Sequence, residues 1–118
     1  MPFPQFATGL LTTALNAARA ISTATATAVA SDVIVCSGGA GAYTITLPAV
    51  TLGAVVVVIN QDSTAAHTVT VVSAEGAGTK VAGAAGDTGV VLPVGGLGVA
   101  QVQGVFASDG TNWQMISR

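Results

Sequence analysis

From residue 32 onward the chain alternates short apolar runs with clusters of glycine, asparagine, aspartate and serine. The runs cover 32–36, 43–47, 54–60, 68–73, 79–82, 88–92, 97–108 and 112–117. They are rich in valine, isoleucine and threonine, whose branched Cβ suits a pleated strand. Tyr43-Thr44-Ile45-Thr46-Leu47 and Thr68-Val69-Thr70-Val71 alternate strictly. Such alternation puts threonine on one face and larger apolar side chains on the other. Val55-Val56-Val57-Val58-Ile59 is apolar at every position, which predicts a strand covered on both faces. Asp109-Gly110, between the last two runs, is a hairpin turn signal. Eight short strands at this spacing predict an all-β fold, a compact β-sandwich or jelly-roll-like module.

The segment ahead of Asp32 has a different texture. Phe6, Leu10, Ala14, Ala17 and Ile21 recur at helical spacing, and Leu11, Leu15 and Ala18 widen the stripe. The pattern predicts one short N-terminal helix within 5–21, starting after Pro2 and Pro4. A helix this short is marginal unless its apolar side packs on something. Phe6, Leu10, Leu11, Ala14, Leu15 and Ile21 are therefore candidate contacts to a neighbouring subunit or a larger particle. Residues 22–31 alternate small polar and apolar side chains, the pattern of an extended arm. The expected organisation is an N-terminal helix and arm over 1–31, then a β module over 32–118.

Composition sharpens this picture. Of 118 residues, 51% are hydrophobic and only 7% charged, against about 25% in an ordinary soluble domain. A free monomer normally covers itself with more charge than this. Much of the outer surface is thus expected to be covered by a partner, which predicts an oligomer or a docked subunit. The net charge of −2 and the lack of any basic run argue against nucleic acid. No apolar stretch approaches the ~20 residues of a membrane-spanning helix. The first residues lack the positive stretch of a secretory leader. A single cysteine, Cys36, cannot make an intrachain disulfide and reads as a small buried hydrophobe.

Catalytic chemistry is not legible. His67 is the only histidine, so neither a histidine metal cluster nor a triad can be assembled around others. Asp62, Asp87 and Asp109 stand singly in turn-like sequence, where an aspartate bonds the backbone two residues on. Gly39-Ala40-Gly41 and Gly76-Ala77-Gly78-Thr79-Lys80 lack the spacing and following helix of phosphate-binding loops. The reading is a non-enzyme with no catalytic, cofactor or metal residues. Trp113, beside Asn112 and Gln114, reads as a core cap whose indole N–H bonds a backbone carbonyl. Tyr43 and Trp113 are the alternative ligand contacts if the protein instead binds glycans.

The order of these elements carries a resemblance. Tyr43-Thr44-Ile45-Thr46-Leu47-Pro48, Gly53 with the valine strand, and His67-Thr68-Val69-Thr70-Val71 come first. Gly78-Thr79-Lys80-Val81-Ala82-Gly83 and Ser108-Asp109-Gly110-Thr111-Asn112-Trp113 follow. Together they resemble a small β module of tailed-bacteriophage virion proteins, found in capsid decoration, head-fibre and tail-fibre proteins. The resemblance covers about 32–117, and residues 1–31 lie outside it. It implies a homotrimer on the outside of a virion with no enzymatic activity. One module without a shaft is more similar to a capsid decoration, or cement, protein partnered by the major capsid protein. The alternative implied is a tail-fibre or head-fibre adhesin for host surface glycans.

Overall fold

A computed structural model describes residues 15–64, 66–94 and 102–117. The described chain is all β. It contains β1 (Ala18–Ile21), β2 (Thr25–Thr27), β3 (Val33–Cys36), β4 (Tyr43–Leu47) and β5 (Val55–Asn60), then β6 (Val69–Ser73), β7 (Val90–Leu92), β8 (Val102–Ser108) and β9 (Trp113–Ser117). A single 3-10 turn, Gly76–Gly78, is the only helical element among the described residues. Five strands form one sheet in the order β1-β3-β5-β8-β9, and four form the other as β2-β4-β6-β7.

The path between the sheets explains their order. From β1 to β6 each strand is followed by a strand of the opposite sheet, so β1, β3 and β5 stack in parallel, as do β2, β4 and β6. Parallel neighbours need a long connection between them. Here the connection is itself a strand of the other sheet, and the chain winds like a short flattened solenoid. In the five-stranded sheet the winding brings Ala18 beside Val33 and Val33 beside Val57, so the second turn is longer than the first. In the four-stranded sheet it brings Thr25 beside Thr44 and Thr44 beside Thr70, and again the second turn is the longer. Antiparallel strands finish the molecule: β7 against β6, β8 against β5 and β9 against β8.

One core lies between the sheets. Ile34, Val56, Val58 and Phe106 of the larger sheet meet Tyr43, Ile45, Leu47, Val69, Val71 and Leu92 of the smaller. Alternation drives this arrangement: β4 and β6 bury every second residue, and β3 does the same. Gly104 shows how tightly the layer is filled. A Cβ there would lie 2.8 Å from the Phe106 ring, which folds back over the glycine two positions away. The segment after the 3-10 turn docks on β9, where Trp113 N–H donates to the Lys80 carbonyl and Ala82 N–H to the Trp113 carbonyl.

Several expectations need correction. The jelly-roll alternative fails, because jelly rolls are built from antiparallel Greek keys and six strands here pair in parallel. The helix expected over 5–21 does not extend through its last turn, since Ala18–Ile21 is strand β1. A helix there would leave the edge of β3 unpaired, whereas a strand satisfies it along four residue pairs. Leu15 and Ile21 are half-buried, and Phe6, Leu10, Leu11 and Ala14 lie outside the described residues. The alternating arm contributes β2, so 18–31 supplies one strand to each sheet. Residues 79–82 form no strand; Val81 alone makes isolated bridges, one to Ala84 and one to Trp113. Strand β5 is incompletely covered on its outer face: Val56 and Val58 are fully buried in the core, while on the outside Val55 is buried and Val57 and Ile59 are half-buried.

Candidate functional site

The two outer faces of the sandwich are the most distinctive surfaces of the chain. On the five-stranded sheet the outward positions fall in two long rows and a shorter third. The long rows are Ala18, Val33, Val57, Val105 and Ala20, Val35, Ile59, Gln103. The third is Val55, Ala107, Gln114, whose amide bonds the Asp109 carboxylate at its edge. Ile116 of β9, 55% exposed, adds a further outward apolar side chain. None of these twelve positions carries an ionisable group. On the four-stranded sheet the corresponding rows are Thr25, Thr44, Thr70, Val91 and Thr27, Thr46, Val72. Five threonine hydroxyls thus stand where the other sheet has valine and alanine, each able to donate to and accept from water.

Ionisable groups collect at the ends of the sandwich. At one end Arg19 Nη2 donates to Asp32 Oδ2 at 3.0 Å and to the Thr27 carbonyl at 3.1 Å. Arg19 Nε reaches Asp32 Oδ1 at 3.4 Å, and Val29 N–H donates to Asp32 Oδ2 at 3.1 Å. Burial alone would raise the Asp32 pKa; the Arg19 and Val29 bonds and the Arg19 charge outweigh it and hold the carboxyl below its ordinary value. This pair ties β1 and β2 to the start of β3.

At the opposite end the chain crosses between the sheets through 37–42 and 61–68, and a buried polar network locks these crossings together. Tyr43 Oη donates to Asp62 Oδ2 at 2.8 Å and accepts Gly39 N–H at 2.8 Å. His67 Nδ1 meets the same Asp62 oxygen at 2.9 Å. An ionised carboxylate only accepts, so Nδ1 carries the hydrogen. Thr64 N–H donates to Asp62 Oδ1 at 2.9 Å. Asn60 donates to the His67 and Pro93 carbonyls, at 3.1 Å each, and accepts Asp62 N–H. The His67 bond, then the Thr64 and Tyr43 bonds, hold Asp62 far below the usual carboxylate range. Gly39 sits in the network because a Cβ would strike Tyr43 Oη and the Ser22 carbonyl.

The network has the parts of a base held by a carboxylate, with no activated nucleophile beside them among the described residues. The His67 ring is held by the Asp62 carboxylate. Burial pushes the buried Cys36 thiol up to about 11, so it stays protonated at neutral pH. No group of three or more histidine, cysteine or acidic side chains is placed to hold a metal among the described residues. The arrangement serves to fix crossing loops.

The individually named candidates are placed as follows. Tyr43 and Trp113, which a glycan platform would need exposed, are 1% and 0% exposed. The Trp113 indole Nε1 has no hydrogen-bond partner among the described residues, contrary to the expected bond to a carbonyl. Asp62 and His67, read separately as turn residues, are joined by a hydrogen bond, and that link was missed because it depends on the crossing 61–68 folding back on itself. Asp109 does act as a turn residue, accepting N–H bonds from Thr111 and Asn112 that lower its pKa. A search of protein families, curated proteins and solved structures finds no match to this chain.

Proposed function

We propose that the protein is a non-enzymatic bacteriophage virion protein, a trimeric capsid decoration protein that binds the outer shell and stabilises it. The observation that supports this most is the outer face of the five-stranded sheet. It is built mainly from valine, alanine and isoleucine, with Gln103 at one side and no charge in its rows, in a chain with only 7% charged residues. A face of that kind is out of place on a free monomer and suited to an assembled particle. The sequence elements that carry the resemblance also fall at ordered places. Tyr43–Leu47 is strand β4, and Asp109 organises the β8–β9 turn. Stabilisation would follow mass action: a protein that binds the intact shell and not the ruptured one shifts the balance toward the intact shell. The anchor to the shell is assigned to the residues ahead of β1, Phe6, Leu10, Leu11 and Ala14 among them.

The test is electron microscopy of virions labelled with an antibody against residues 32–118. Label spread over the head is the expected result. Label confined to the tail tip moves the function to host recognition, and absence of label from every particle ends the virion reading.

A further inference from the structure

We infer that the outer face of the five-stranded sheet is where copies of this chain meet one another. The inference takes the oligomer of the proposed function as its premise and names the surface that builds it. Its centre is β5, whose continuous apolar run calls for cover on both sides. Within one chain the outer side of β5 is fully covered only at Val55. Val56 and Val58 enter the core, while Val57 and Ile59 are half-buried between Val33 and Val35 of β3 and Val105 and Gln103 of β8.

The occupant follows from size and charge. Five strands about 4.8 Å apart and about five residues long make a face of roughly 20 by 17 Å. Two such faces cover roughly 700 Å² before side-chain relief is added, which approaches the minimum of about 1,000 Å² for a specific interface. A charge-free face can meet its own copy without burying an unpaired ion, around a two-fold or a three-fold axis. It offers no charged group to select a different macromolecule. Sheets packed face to face lie about 10 Å apart with interdigitating side chains, and valine rows suit that distance. The threonine face on the other side remains hydrated in the assembly.

The experiment is light scattering on the full chain and on single variants, with circular dichroism to confirm folding. The wild type is expected to be an oligomer at micromolar concentration. Val57→Asp, at the centre of the face, is expected to give a folded monomer, while Thr44→Asp on the opposite face keeps the oligomer. Should Val57→Asp not fold, Val57→Thr keeps the side-chain shape and is expected to weaken association roughly tenfold or more. A monomeric wild type overturns the inference. So does an oligomer insensitive to both Val57 variants, or one lost equally in Thr44→Asp. An oligomer of three that needs Val57 supports the inference. An oligomer of two that needs Val57 also supports it, while counting against the three-fold arrangement of the proposed function. The virion labelling result is independent of all these outcomes.

Discussion

The two outer faces of this sandwich are made by the same construction, and where valine on one stands against threonine on the other they differ by one atom per side chain. Both are outward rows on stacked parallel strands, at the same alternation in the sequence. On β4 the outward residues are Thr44 and Thr46; on β5 they are Val57 and Ile59. Threonine and valine have nearly the same shape and the same branched Cβ, so the backbone accepts either. What changes is the hydroxyl, which keeps water on one face and is missing from the other. Fold and partner choice are thus written in different features of the same residues. Alternation specifies the strand, and the polarity of the outward position specifies whether that strand is finished or still lacks a layer.

The largest blow to this pair of faces strikes the core they share. Trp113→Ala removes a fully buried ring from the junction of β9 with the Val81 turn. It is expected to cost about 3–5 kcal/mol, seen as a lower urea midpoint, and to take both faces down together. A loss below about 1 kcal/mol would mean that Trp113 is not part of the common core.

Acid should act next, through the ends of the sandwich rather than through either face. Asp62 and Asp32 both have folded pKa values below their ordinary ones. The unfolded chain therefore takes up protons first, and stability is full above about pH 4 and declines as pH falls below it. Thermal melts between neutral pH and strong acid should show this loss, and Asp62→Asn should flatten much of it. An unchanged profile in that variant would remove Asp62 from the account.

A smaller and local effect is expected from Arg19→Ala. Its side chain is nearly half exposed, so the ion pair with Asp32 contributes only about 0.5–1 kcal/mol. Hydrogen exchange should quicken in β1 and β2 while β5 and β8 stay protected; uniform quickening would contradict a local role. The smallest effect on stability sharpens the comparison most. Thr46→Val should change stability by no more than about 0.5 kcal/mol. Combined with Thr44→Val and Thr70→Val it turns the wet face into a second dry one, and light scattering should then register new association. A triple variant that behaves like the wild type would show that the hydroxyls do not distinguish the faces.

How legible all this was depended on the range of the interaction. The strands β3 to β6 were readable to within a residue, because each is set by local alternation and bounded by its own turn signal. Tyr43–Leu47 matches its apolar run end to end. The parallel winding was not readable. Its successive turns differ in length, since the step from Ala18 to Val33 is much shorter than the step from Val33 to Val57, and the chain therefore shows no fixed repeat. Strand β1 was misread because alanine and leucine at three- and four-residue spacing favour a helix locally, and the pairing with β3 prevails. The Tyr43–Asp62–His67 network escaped notice for a related reason: Tyr43 and Asp62 are far apart in the chain and meet only after the crossings stack.

The winding has a consequence for how the chain is made. Strands β1 to β6 can be laid down in the order in which they leave the ribosome, each turn resting on the one before. Strand β5 breaks this convenience. It pairs with β3 at once, but its other edge waits for β8, which begins only at Val102. Until then the nascent chain offers an open edge of valines, the type of segment that captures other extended chains. Chains stopped before β8 should therefore be far more prone to aggregate than the finished protein. The last two strands do more than complete a sheet; they decide when the molecule is safe to release.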